Sequence, residues 1–314
     1  MSAGAAAGGL AAAGITPAAA DTTGVPSDAE LARSLPGGFT SNFVVANGIR
    51  QHYVIGGQGE PLVLLHGWPQ NWWEFHKVLP ALAARYRVIA VDLRGGGSTD
   101  KPQSGYDKKT MANDIFELIG KLGYGQVNIA GHDIGSMVAF SFAVNHAAAV
   151  KKVAILDVTH PDDSYFQIRA LPQPGSFSPW WFAFNQVRTL PEQLLAGRGR
   201  FLIDWVFDNL PVNPAAFSDF DRAVYARAFS QPDGIRGGNG WYQAFAQDIA
   251  DLKTYGKVTA PMLGLAHIKF YAQMQAVLPT QGTDVQVALV EKTGHYFLEE
   301  QPEVVTKALL DFFG

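Results

Sequence analysis

An α/β architecture, a mainly parallel β-sheet flanked by helices with a helical lid inserted between two strands, is the fold class that the sequence predicts. Three observations predict it. Continuous apolar runs such as Pro61–Leu65, Arg87–Asp92 and Val150–Leu156 read as strands buried on both faces, and segments with helical spacing separate them. One strand runs into Gly131-His132-Asp133-Ile134-Gly135, a polar apex bracketed by glycines and followed by a helical stretch. Over residues 158–251 the alternation stops, and aromatic residues and prolines take its place.

Composition bounds the answer. A chain of 314 residues with 47% hydrophobic and 17% charged residues can bury a large core, so one α/β domain with an insertion fits. The formal charge of -4 argues against a nucleic-acid partner, and no segment has the bulk of a membrane span. The count of cysteines is 0, which excludes disulfides, thiolate nucleophiles and zinc–thiolate sites. No cofactor or metal motif is read: the Gly95-Gly96-Gly97 run lacks the spacing of a nucleotide fingerprint.

Residues 1–30 read as a disordered tail or as the remnant of an export signal. Met1 to Thr23 is rich in Ala and Gly and ends in Ala18-Ala19-Ala20-Asp21, which looks like the late part of a twin-arginine signal whose start lies upstream. A cytoplasmic tail is the other reading, and the two stay open. Phe43–Ala46 and Gln51–Ile55 flank Asn47-Gly48, a hairpin turn whose residues both tolerate positive φ. Pro61–Leu65 is the first buried strand, capped by His66-Gly67-Trp68-Pro69, and Trp72 to Ala84 reads as the first crossover helix. Arg87–Asp92 is the next strand, and Thr110 to Leu122 carries Met111, Ile115, Leu118, Ile119 and Leu122 on one helix face.

Val127–Ala130 then leads into the turn at Asp133. Val150–Leu156 ends in Asp157, Ala260–Leu265 resumes the sheet after the lid, and Val285–Val290 ends shortly before Gly294-His295. Pro302 to Phe313 closes the chain as an amphipathic helix. The core is therefore expected over 31–157 and 252–314, with the lid over 158–251.

Asp133, Asp157 and His295 all follow strands at their C-terminal ends, where the crevice of a parallel sheet lies. The pattern is that of a triad in the order nucleophile, acid, base, with Asp133 on a nucleophile elbow. Asp162 and Asp163 are rival acids, and His267, at the end of the penultimate strand, is within reach of the same crevice. His132 reads as a packing residue beside the elbow.

His66-Gly67-Trp68-Pro69, Asp92-Leu93-Arg94-Gly95 through Asp100-Lys101-Pro102, Gly131–Gly135, Ile155-Leu156-Asp157 and Gly294-His295 together resemble the α/β-hydrolase fold. Within it they resemble the branch of epoxide hydrolases and of haloalkane and haloacetate dehalogenases. That resemblance implies an alkyl–enzyme ester formed on Asp133 and hydrolysed by water that His295, oriented by Asp157, deprotonates. The backbone amides of Trp68 and Ile134 are expected to hold the oxyanion. Gly240-Trp241-Tyr242 is similar to the lid segment in which a tyrosine donates to the epoxide oxygen, which points to Tyr242, with Tyr165 and Tyr225 as rivals.

His66, Trp180, Trp181 and Phe182 are expected at the substrate pocket. Related lids carry Trp-His-Phe or Trp-His-Trp where this chain has Trp180-Trp181-Phe182, so Trp181 stands where a second, histidine donor is expected. An indole N–H can donate but is not an acid. The reading is an epoxide hydrolase acting on a small or medium apolar epoxide. Haloalkane or haloacetate dehalogenation by the same triad is one alternative, and a noncatalytic binding protein is the other. The expected partner is a small-molecule substrate, and the sequence leaves a homodimer open.

Overall fold

The structure is a computed structural model that describes residues 24–169, 171 and 178–314. The stretch over 1–23, with the export-signal reading placed on it, lies outside those residues. The strands are β1 (Thr40–Ala46), β2 (Ile49–Gly56), β3 (Glu60–Leu65), β4 (Tyr86–Val91), β5 (Val127–His132), β6 (Val150–Leu156), β7 (Met262–Ala266) and β8 (Val285–Leu289). They form one sheet in the order β1-β2-β4-β3-β5-β6-β7-β8. The hairpin β1–β2 turns at Asn47-Gly48 on positive φ, β2 joins β4 antiparallel, and every later pair is parallel.

The strand order explains where a site can form. The chain goes from β3 outward to β4, then returns to lay β5 on the other side of β3, so connections leave β3 and β5 toward opposite sides. The crevice at the carboxyl ends of these two strands stays open. Leu65 pairs with Gly131 in this register, which brings the turn after β3 beside the turn after β5. β3 and β5 are buried along nearly their whole length, as their uninterrupted apolar sequences require.

The helices before the lid are α1 (Asp28–Ser34), α2 (Leu79–Ala83), α3 (Lys108–Lys121) and α4 (Ile134–Asn145). Two of them differ from expectation. The crossover read over 72–84 is split into a 3-10 turn at Trp72–Phe75 and α2, because Pro80 lacks an N–H and opens a new helix rather than continuing one. Part of the stretch read as a tail over 1–30 is a helix: Ser27 caps α1 in a capping box with Glu30. Asp28 there accepts from Trp72 Nε1 at 3.0 Å and from Arg227 Nη2 at 2.6 Å.

Between β6 and β7 lie a 3-10 turn and α5 (Trp180–Gln186), α6 (Leu190–Leu195), α7 (Gly199–Asn209), α8 (Asp219–Ala228), α9 (Pro232–Gln243) and α10 (Phe245–Leu252). The chain then finishes with α11 (Ile268–Gln281), α12 (Phe297–Glu300) and α13 (Pro302–Phe313). Lys108 at the start of α3 is fully buried. Its Nζ donates to Asp248 Oδ2 of α10 at 2.8 Å and to the carbonyl of Trp241 at 2.7 Å. Trp241 Nε1 in turn donates to the Arg94 carbonyl at 2.7 Å, so the end of α9 is tied to the core at two points. Among the described residues no helix is long and apolar enough to cross a membrane.

Candidate active site

Asp133 sits between β5 and α4 with φ 49 and ψ -117, a conformation that costs free energy for a residue with a Cβ. The sequence permits it by removing side chains on either side. A Cβ at Gly131 would lie 2.0 Å from the Gly135 carbonyl oxygen, and one at Gly135 would lie 2.0 Å from that of Leu65. Ser136 Oγ fastens the turn by donating to the Asp133 carbonyl at 2.6 Å.

The two carboxylate oxygens of Asp133 have different surroundings. Oδ2 accepts from the Trp68 backbone N–H at 2.8 Å, a contact that the β3–β5 adjacency makes available. The Ile134 N–H lies in the first turn of α4, where N–H groups have no intrahelical acceptor, but it makes no hydrogen bond to Asp133 among the described residues. Oδ1 lies 3.9 Å from His295 Nε2.

Asp157 follows β6 at φ 70 and is 1% exposed. Its Oδ2 accepts from His295 Nδ1 at 2.6 Å, while Oδ1 accepts from the backbone N–H of His267 at 3.0 Å and from its Nδ1 at 2.7 Å. Burial alone would raise the pKa of this carboxyl. The hydrogen bonds from His267 and His295 outweigh burial and hold it at about 2. Because the carboxylate can only accept, His295 Nδ1 donates to it, and Nε2 is the ring nitrogen turned toward Asp133. The rival acids lie elsewhere: Asp162 accepts from the Ser164 N–H at 2.8 Å, and Asp163 is an exposed partner of Lys253 at 2.9 Å.

A cavity of about 480 Å³ opens above these groups. Its wall includes Trp68, Asp133, Asp157, His267 and His295 from the loops after the strands and Tyr165, Trp181, Phe182, Tyr242 and Phe245 from the helical segment between β6 and β7. The Tyr242 ring packs edge-on against Trp68 and Phe182 at centroid distances of 5.9 and 5.4 Å. Its hydroxyl bonds to none of the described residues, and burial together with the charge of Asp133 pushes its pKa well up. Tyr165 meets Phe245 edge-on at 5.3 Å, and burial and Asp133 push its hydroxyl up in the same way. The third candidate is occupied: Tyr225 donates to Glu299 Oε1 at 2.6 Å, away from the cavity.

Two residues expected at the pocket do not line it. His66 faces into the turn, with Nδ1 3.0 Å from the Gly67 carbonyl and Nε2 accepting from the Leu93 N–H at 3.1 Å. Trp180 precedes Trp181 on α5, and one residue along a helix is about 100° of rotation. While Trp181 stacks with Trp68 at 6.3 Å, Trp180 turns outward onto Trp205 at 5.0 Å. Conversely, Tyr296 and Phe245 line the cavity and were not singled out in the sequence. Their only signals are adjacency to His295 and membership of the lid's aromatic set.

His132, read as a packing residue, is fully buried and carries polar contacts on both ring nitrogens. Nε2 lies 2.9 Å from the His295 carbonyl oxygen and Nδ1 lies 2.9 Å from Glu74 Oε1. His132, Asp157 and His295 offer ligand atoms within 4.8 Å of one another. Asp157 and His295 spend theirs on each other and His132 Nε2 faces a carbonyl, a donor set that suits hydrogen bonding better than a cation.

Comparison with known proteins places the fold. The profile of the alpha/beta hydrolase fold family matches residues 60–252. The soluble epoxide hydrolase of Corynebacterium sp. (strain C12) is 36% identical over 286 residues, which cover 88% of this chain and 97% of that one. A fluoroacetate dehalogenase of Burkholderia sp is 28% identical over 88% of this chain and 94% of its own. Among solved structures, the epoxide hydrolase CorEH without ligand superposes with a TM-score of 0.77 at 35% identity, covering 88% of this chain and 98% of that one.

Proposed function

Because this chain belongs to the α/β-hydrolase fold family, in the branch that holds epoxide hydrolases and dehalogenases, and is therefore a hydrolase of small molecules, we propose that it hydrolyses epoxides to diols. The observation that carries this reading is Tyr242: a phenol hydroxyl buried in the same cavity as Asp133, with no partner among the described residues. A phenol can give a proton to an oxygen that becomes an alkoxide, and an apolar aromatic wall suits a substrate with little other polarity.

The steps follow from the residue types. Asp133 Oδ1 attacks a ring carbon, the carbon–oxygen bond of the epoxide breaks, and Tyr242 passes its proton to the released oxygen, with Tyr165 as second donor. An alkyl ester of Asp133 and a phenolate remain. His295 Nε2 then takes a proton from water as the water oxygen bonds to Cγ of Asp133. The negative charge collects on Oδ2, where the Trp68 N–H already donates and the Ile134 N–H is at hand. As the intermediate collapses, His295 gives its proton to the departing alkoxide, which leaves as the diol with the former Oδ1, and the carboxylic acid left on Asp133 loses its proton to the phenolate through solvent. Asp157 keeps the imidazole in the right tautomer and stabilises its charged form.

Dehalogenation by the same triad is the second reading, favoured by the relation to a fluoroacetate dehalogenase and by the paired indoles of Trp68 and Trp181. Against it, the residue after Asp133 is Ile134, whose side chain offers a halide no N–H. The test is a panel of epoxides and haloalkanes with a His295→Gln variant, which should stop at the ester. An alkyl adduct on Asp133 by mass and a diol from the parent enzyme are the expected results. Halide release without any diol would favour the second reading, and an adduct on another residue would sink both.

The sequence-level division into a core over 31–157 and 252–314 and a lid over 158–251 belongs to the same proposal. The lid supplies the proton donor and the apolar wall, and the core supplies nucleophile, acid and base.

A further inference from the structure

Beneath the nucleophile elbow lies a pair of charged groups that the steps above do not use. Glu74 is 1% exposed and His132 is fully buried. Glu74 Oε2 accepts from the backbone N–H of Gly67 at 2.9 Å, the residue before Trp68. Glu74 Oε1 faces His132 Nδ1 at 2.9 Å, within ion-pair reach, at an angle off that of a well-aligned hydrogen bond. His132 Nε2 meets the His295 carbonyl, which can only accept, at 2.9 Å.

Both ring nitrogens of His132 therefore face oxygens that accept. A neutral imidazole has a single N–H and could serve only one of these two buried acceptors, whereas the protonated ring has a donor for each. Other rings pack against it, His295 tilted at a centroid distance of 4.6 Å and Phe297 edge-on at 5.6 Å.

We propose that His132 is a positioning residue, an imidazolium at neutral pH whose ion pair with Glu74 joins the turn carrying the Trp68 amide, the elbow carrying Asp133 and the loop carrying His295. The proposal rests on the roles given above to those three groups. The charged groups that face His132 are Glu74 from the 3-10 turn, Asp133 from the elbow and Asp157 from the end of β6. His295 and Tyr296 close the remaining side. Burial works against the charge of the ring, and Glu74 foremost, then Asp133 and Asp157, hold the proton on it to about 9. Three anions against one cation also explain why a histidine serves here where a neutral side chain would leave the cluster strongly negative.

The test has two arms. In the first, the intact enzyme labelled with nitrogen-15 in histidine is followed by NMR from about pH 5.5 to 7.5 without substrate. Both nitrogens of His132 should read as protonated throughout, and one unprotonated nitrogen near neutrality overturns the proposal. In the second, Glu74→Gln is assayed on whichever epoxide of the panel is hydrolysed fastest. Without its anion, His132 should lose its proton within the assayed range, so turnover should fall about tenfold at neutrality, with KM nearly unchanged, and fall further as pH rises. An unchanged rate, or a loss equal at every pH as packing damage would give, overturns it. Failure to find an adduct on Asp133 would overturn the reaction and leave the NMR result standing, so the two failures are distinguishable.

Discussion

His267 Nδ1 lies 2.7 Å from Asp157 Oδ1, the oxygen that does not face His295. One carboxylate thus serves two histidines, and the second occupies the oxygen that would otherwise be free to rotate into competition for His295. His267→Phe keeps the backbone N–H but removes the side-chain donor. A hydrogen bond to a charged group contributes about 1.5 kcal/mol or more, so kcat should fall roughly tenfold. Single-turnover kinetics should place the loss in hydrolysis of the ester and leave its formation unaltered.

Tyr242→Phe should act on the other half-reaction. Loss of a positioned proton donor typically costs 10²–10⁴-fold, and here the cost should fall on ester formation from epoxides. Rapid-quench measurement of the adduct would show it. Tyr165→Phe should be milder, and the two together more severe than either. If ester formation proceeds at the parent rate in the double variant, the donor has been misassigned.

How much of this was legible in the sequence differs from residue to residue. Asp133, Asp157 and His295 announced themselves because each directly follows a strand or its short exit loop, and a parallel sheet gathers such ends into one crevice. Trp181 was marked by its position in the lid motif, but Trp180 was placed at the pocket beside it, since both are aromatic and only the pitch of α5 turns one of them away. Glu74 left no trace beyond a helix-like pattern, because its partner His132 lies far along the chain and a contact across the sheet has no periodicity. The split of the first crossover was signalled by Pro80, which the run of bulky residues around it obscured.

The lid should be anchored through Lys108 and Asp248, whose side chains are both fully buried and 2.8 Å apart. Removing one partner of such a pair leaves a buried charge alone, at a cost of about 3–5 kcal/mol. Asp248→Asn should therefore lower Tm by several degrees in calorimetry. It should also reduce turnover, because Lys108 holds the carbonyl of Trp241, the residue before Tyr242. Replacing both partners with apolar residues of similar volume should recover much of the stability.

Stability should also fall on both flanks of neutrality for reasons found in the site. His132 is held protonated up to about 9, against 6.5 for the free side chain, so its contribution is complete below about pH 6.5 and disappears as pH rises through 9. Asp157 is depressed from 3.8 to about 2, so its contribution is complete above about pH 4 and disappears as pH falls through 2. Each is on the order of a few kcal/mol. Melting curves across pH should show both declines, and Glu74→Gln should flatten the alkaline one while lowering stability at neutral pH.

The unequal setting of the two Asp133 oxygens has a consequence that isotopes can read. Oδ2 is fastened to the Trp68 N–H, and Oδ1 leaves with each product and is replaced from water. In water enriched in oxygen-18, the first molecule of diol released by each enzyme should carry no label, and later ones should carry it. The carboxylate itself should take up one heavy oxygen and hold its other light one for as long as the amide keeps the group from turning over.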